Sequence, residues 1–375
     1  LGGIKMSRNI VPRANRDADL GTPEKNWNKL YADAVVLKGN DLKTLIDNKV
    51  NANILTNKGD LFVATNPGMI TRLPKGEDGH VLTTNSTKPE GLEWRIGDIR
   101  QPLTENIEVT VGDGGNFGTI NQAIGSITSL YTPRYLSGGT VPRVTIRLLS
   151  GFVMSEQVLV ESLDLSWITI IGDDEETVIN RSALIKAFGE TRYPAFGARD
   201  GGFLPIIGQL FNMDTSGDLG RKDGIYLYKN SSVIVLPNCG IKNAAEEGIL
   251  ADNNCVANIK GAIFSGSSRC VHADNASIIS ANNVNASGAG FAGLWAARTS
   301  IINADDANVT NAGNRNIYSE RGSTINARHA DASGTGTNFY VDTGSFIVAH
   351  SAIGTSSNVA FNTLTNGGII FKYPI

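Results

Sequence analysis

The chain has 375 residues, 41% of them hydrophobic but only 7% aromatic, with 42 glycines and a net charge of −3. That length carries an ample core and room for two or three domains, while the absent basic surplus argues against a nucleic-acid partner, since there is no excess positive charge to displace counterions from phosphates. With no stretch of about 18 apolar residues and no charged-then-apolar leader, neither membrane insertion nor a signal peptide is expected.

Residues 1–37 hold Leu20, Trp27, Leu30 and Tyr31 about a Thr22-Pro23 turn, an N-terminal module with too little apolar surface to fold alone. Residues 38–58, with Leu42, Leu45, Ile46 and Val50, read as a short helical linker, either in contact with its copies in a trimer or solvated. Residues 59–101 alternate strand-like runs with Asn-Pro-Gly, Pro-Lys-Gly and Glu-Asp-Gly turns and read as a small β connector. Because the sequence opens on Leu1 rather than Met, it reads as the distal piece of a longer protein.

The remainder, 102–375, reads as one domain. Ile120, Ile124 and Ile127 predict an amphipathic helix from about Thr119 to Leu130, suited to covering the open end of a stack of strands. The first coils follow at Val144 to Leu149, Val158 to Val160 and Ile168 to Ile171. Between Ala187 and Asp223 the beat is lost in what reads as a loop holding Arg192, Tyr193, Arg199 and Asp200. A closing strand is expected near the end, in FNTLTNGGIIFKYPI.

Between these lies the strongest signal. A unit beginning at Ile225 returns at Ile249, Val271, Leu294, Ile317 and Phe339, with spacings of 24, 22, 23, 23 and 22. Each later unit carries a strand, a turn at Ser277, Ser300, Ser323 or Ser345, and a second strand. A fixed period in this range means a solenoid whose units bury one another. Asn, Ser, Gly, Thr and β-branched residues exclude helical repeats, and neither a Leu ladder nor a six-residue beat is present. The fold class expected is therefore all-β, a right-handed parallel β-helix with an N-terminal capping helix, preceded by small β modules.

If coils stack in register, residues far apart in number form columns. With the first apolar residue inward, the second column reads Tyr226, Leu250, His272, Trp295, Tyr318, Tyr340, and the fourth Tyr228, Asp252, Asp274, Ala297, Glu320, Asp342. Both face outward, with Arg298 and Arg321 at the edge. Rings beside carboxylates and guanidiniums suit a sugar chain, whose C–H surfaces stack while its hydroxyls bond. His272, Trp295, Arg298, Tyr318, Arg321 and Tyr340 are thus the candidate substrate-binding residues. Asp252, Asp274, Glu320 and Asp342 are the candidate catalytic carboxylates. Neighbouring coils bring Glu320 and Asp342 toward the ~5 Å of retaining glycosidases, and Asp274 and Glu320, two coils apart across Ala297, toward the ~6.5–9.5 Å of inverting ones. The plainer alternatives are a solvated face and a subunit contact. Asp305, Asp306, Arg328, His329 and His350 form a second outward group, and Glu246 and Glu247 read as a solvent-facing pair in a turn. No histidine has a ligand partner four residues on, and Cys239, Cys255 and Cys270 read as small buried fillers, so no metal or other cofactor is expected.

The N-terminal Leu20-Gly21-Thr22 with Trp27, Leu30 and Tyr31, and the segment GDLFVATNPGMITRLPKGEDGHVL, resemble modules of tailed-bacteriophage tail fibres and tailspikes. GDGGNFGTINQAI with ITIIGDDEETVI resembles the start of the pectate-lyase-like β-helices that those proteins carry. The resemblance implies a homotrimeric virion appendage that joins other tail proteins and contacts bacterial surface polysaccharide, which many relatives cleave. It carries over no catalytic residues. Three functions stay open: a receptor-binding protein that holds glycan, a depolymerase (hydrolase or lyase), and a structural shaft.

Overall fold

The computed structural model describes residues 36–37, 40–41, 54–67, 69–97, 100–133, 141–189, 191–214, 220–355, 361–364 and 367–372. The chain divides into two units, Leu1–Ile99 and Arg100–Ile375. Most of the expected N-terminal module and helical linker lies outside the described residues; within them Val36–Leu37 pairs antiparallel with Asn40–Asp41.

In the first unit, the turn-rich stretch makes two antiparallel hairpins, Leu61–Asn66 with Met69–Leu73 and His80–Thr84 with Leu92–Ile96. Asp60 ties the entrance of the first: its carboxylate accepts from the Thr56, Asn57 and Lys75 N–H groups and from Arg72 Nε at 2.8 Å. Desolvation opposes ionisation, yet those N–H groups and the guanidinium outweigh it and hold the carboxyl down at about 2.

The second unit is all-β with mostly parallel strands, its larger sheets having eight, seven, four and four strands. The sequence period becomes spatial register. Phe196, Ile225, Ile249, Val271, Leu294, Ile317 and Phe339 are successive partners across the eight-stranded sheet, and all are fully buried. On the seven-stranded sheet, Ser232, Val256, Ile278, Ile301, Thr324, Phe346 and Ile369 align in the same way. A third side is stitched by single parallel bridges, Gly240 to Ile263, Asn285, Asn308, Asp331 and Ile353 in turn. Each pass of the chain lies on the previous one, as a β-helix requires, and an Ala-, Ile- and Val-rich core runs through the stack.

Ile120–Leu130 forms the expected helix, capped by Thr119, whose hydroxyl accepts from the Gln122 N–H. Its buried face is Ile120, Ala123 and Ile127, with Ile124 only half-buried. Glu156 accepts from the N–H groups of Ile120 and Asn121, which satisfies two donors left open at the helix start. The presumed loop between Ala187 and Asp223 is instead largely a coil of its own. Tyr193–Arg199 pairs with Val158–Glu161 and with Lys222–Tyr228. Because 29 residues separate the partners Phe196 and Ile225, this coil falls outside the period of its successors.

The turn serines form a ladder. The N–H of Cys255 donates to Ser277 Oγ, that of Ser277 to Ser300, that of Ser300 to Ser323, and that of Ser323 to Ser345, at 3.0–3.2 Å. All four serines are fully buried. Cys255 takes the same place one coil earlier, its Sγ accepting from the Ser231 N–H at 3.3 Å. It is a rung of the ladder as well as a filler. Ser300→Ala strands the Ser277 N–H, and a loss of about 1–3 kcal/mol is expected in chemical denaturation. Ser300→Cys is expected to lose less.

Candidate functional site

Three outward columns run along the eight-stranded sheet, and only two were visible as such in the sequence. The third lies two residues before each inward apolar residue, where Glu247 pairs with Arg269, Arg269 with Ala292, Ala292 with Arg315 and Arg315 with Thr337. Asp223 precedes Glu247 in it and accepts from the Glu247 N–H at 3.2 Å. Strict alternation fails here because the intervening residue turns inward: Cys270 belongs to the core, and a Cβ on Gly248 would meet the Cys270 carbonyl oxygen at 2.5 Å. Glycine at 248 lets the two coils approach here.

Glu247 is therefore not a solvent-facing turn residue. It is 1% exposed and Asp223 0%. Glu247 Oε1 receives Arg269 Nη1 at 3.1 Å, His272 Nδ1 at 3.3 Å and Arg192 Nη1 at 3.6 Å, and Arg192 Nη1 also meets Asp223 Oδ1 at 3.2 Å. Two buried carboxylates thus share two guanidiniums and an imidazole. Burial alone raises both acids, but His272, Arg269 and Arg192 converge on Glu247 and hold it below its ordinary range. Asp223 takes the opposite course: burial, only partly offset by Arg192, lifts it to about 7, with charged Glu247 adding to the rise.

The aromatic column is assembled as the register predicts, but it presents itself differently. His272 stacks on Trp295 at 4.1 Å with the rings 2° from parallel, and Trp295 on Tyr318 at 5.4 Å and 19°. Tyr340 meets Tyr318 edge-on at 5.3 Å. Arg315 lies over Tyr318 and Tyr340 at 4.2 and 4.1 Å, and Arg269 lies over Trp295 at 5.2 Å. The stacked ring faces are taken by one another and by guanidiniums. Tyr226, His272 and Tyr318 are buried, with Trp295 and Tyr340 half-buried. This strip is a wall rather than an open stacking platform.

Beside the wall is a recess of about 200 Å³. Its guanidiniums are Arg192, Arg221, Arg269 and Arg298, its carboxylates Glu246, Glu247, Asp274 and Glu320, and His272, Trp295 and Ala297 complete it. Asp274 and Glu320 thus line one recess with Ala297, the small side chain between them in the column. Asp274 pairs with Arg298, which sits in the left-handed turn after its strand at φ 50°, and it accepts from the Asn275 N–H. Glu320 accepts from the Tyr318 hydroxyl; burial and this carboxylate hold the phenol above its ordinary range. Arg269 also pairs with Glu246.

Four candidate residues stand apart from the recess in addition to Tyr318. Asp252 accepts from Asn275 Nδ2 at 2.6 Å, Asp342 from Thr343 Oγ1 at 3.0 Å, and Tyr340 stays within the wall. Arg321 lines a shallower recess with Arg298, Asn253 and Asn275. At the second outward group, His329 Nδ1 lies 3.5 Å from Asp306, while Asp305 and Arg328 line a third recess with Lys260 and three asparagines. Among the described residues no group of three or more His, Cys, Asp or Glu side chains is placed to hold a metal ion. Asp223, Glu247 and Arg269 escaped a reading anchored on apolar residues, although the same period counted two residues earlier passes through all three. No protein-family model matches the chain and no curated protein matches it, so its function is argued from this site.

Proposed function

We propose that the chain is a receptor-binding protein of a tailed bacteriophage, a right-handed parallel β-helix that acts as a homotrimer on the virion and recognises bacterial surface polysaccharide. The observation that carries this reading is the recess of about 200 Å³, where four carboxylates and four guanidiniums lie beside a half-buried Trp295. Saccharide hydroxyls bond to both kinds of group, and apolar sugar surface packs against the ring edge. Right-handedness is supported by the rule for crossovers between parallel strands. A subunit contact is supported by the second sheet's outward column, where Val256, Ile278, Ile301 and Phe346 are 51, 42, 37 and 40% exposed, an apolar stripe of the kind that marks an interface. Light scattering is expected to give a trimer.

Incubation with capsule or O-antigen preparations tests the function. Retention of polysaccharide without fragments is expected of a receptor-binding protein. Neither retention nor fragments would leave a structural shaft.

The second reading is a depolymerase, favoured by Asp274 and Glu320 in one recess. Two coils at about 4.8 Å each separate them by roughly 10 Å along the stack, near the spacing of inverting glycosidases. If fragments form, Asp274→Asn and Glu320→Gln should each lower the rate at least ~100-fold, whereas Asp252→Asn and Asp342→Asn, outside the recess, should leave most of it. Full activity in the first pair removes the recess from the reaction.

A further inference from the structure

Five buried polar atoms of this cluster have no hydrogen-bond partner among the described residues: Glu247 Oε2, Asp223 Oδ2, His272 Nε2, Trp295 Nε1 and Arg269 Nε. Most buried polar atoms in proteins are paired, and one left unpaired is costly. Five in one cluster is a pattern with chemical content. Glu247 Oε2 needs a donor, Trp295 Nε1 and Arg269 Nε need acceptors, and His272 Nε2 serves as either according to its tautomer. Their side chains reach the same recess, apart from Asp223 just behind Glu247.

We propose that this end of the recess is a subsite for one neutral, hydroxyl-rich sugar residue of a polysaccharide, with Glu247 and Trp295 as its specificity-determining residues. The inference rests on the polysaccharide-binding reading and deepens it by naming the class of sugar. A hydroxyl donates to Glu247 Oε2 while its oxygen accepts from Trp295 Nε1 or Arg269 Nε, which a carboxylate, lacking a proton to give, does not do. Charge points the same way. Arg192, Arg269 and Arg298 already face carboxylates, so a uronate would enter among Glu246, Glu247, Asp274 and Glu320 with Arg221 alone lacking a carboxylate partner among the described residues. The orphan atoms are closed to bulk water, so entry of a sugar requires the half-buried Arg192 and Arg269 side chains to turn aside. Bonds made there are stronger for the low dielectric.

Calorimetric titration of the full chain decides it, using neutral oligosaccharides of hexose and N-acetylhexosamine units and uronate-bearing ones of equal length, each at low and high salt. Neutral oligosaccharides are expected to bind with affinity that changes less than about twofold with salt, because no net charge is screened. Trp295→Phe, which keeps a ring but removes the N–H, is expected to weaken binding about tenfold. This variant carries the test because Glu247→Gln also disturbs the buried charges. Binding confined to uronate-bearing chains, or neutral binding unchanged in Trp295→Phe, overturns the subsite while leaving polysaccharide recognition intact. Failure of wild-type protein to bind or retain any glycan overturns both.

Discussion

Glu247→Ala is expected to destabilise the second unit by about 3–5 kcal/mol, the usual loss when one partner of a buried ion pair is removed. The side chain is 1% exposed and its Oε1 meets Arg192, Arg269 and His272, so alanine leaves Arg192 with Asp223 and Arg269 with Glu246 as their remaining carboxylates. The neighbouring Glu246→Ala removes a carboxylate that is 24% exposed and meets Arg269 alone, for which about 1 kcal/mol or less is expected. Urea unfolding of the two variants makes the comparison. Equal midpoints would contradict a buried, ionised Glu247. The pair is not thereby a net source of stability, since desolvating the charges costs about as much as their attraction returns.

The stability of the same unit should fall as pH rises from about 4 to about 7, against the habit of most proteins. Asp223 sits at about 7 in the fold against an ordinary 3.8. The folded state therefore keeps a proton that the unfolded chain releases, and the stabilisation is full below about pH 4 and gone above about pH 7. Its size is on the order of 4 kcal/mol, from roughly 1.4 kcal/mol per pH unit. Glu247, held low, acts in the other direction: its contribution is present above its ordinary value of 4.5 and is lost as pH falls. Unfolding midpoints measured between about pH 5 and about pH 8 should decline in the wild type and flatten in Asp223→Asn. A rising wild-type profile would mean that Asp223 is ionised in the fold.

Much of this architecture is legible in the chain itself, because the spacing of Ile225, Ile249, Val271, Leu294, Ile317 and Phe339 is register written as sequence. Parity then places His272, Trp295, Tyr318 and Tyr340 in one column and Asp274 with Glu320 in one recess. Parity also misleads at its first irregularity. Counting back from Ile249 turns Glu247 inward or into a loop, since nothing local announces that Gly248 breaks the alternation; the close approach of Cys270 that requires it comes from the next coil. Arg192 is noticed but misplaced for another reason: its coil is longer than the rest, so a search for a constant period reads the stretch as a loop. The register also sets the rings in one column. What lies over a ring depends on Arg269 and Arg315, which belong to the unseen column.

The serine bonds all point one way. From Cys255 to Ser323 a turn amide in each pass is satisfied by the hydroxyl that the following pass delivers, so the open end of the stack exposes that donor along with its strand edges. As the chain leaves the ribosome from its N-terminus, every completed layer is a template that selects the next by supplying the docking point for its serine. Truncation after any of these coils therefore leaves the last turn amide without the hydroxyl that caps it.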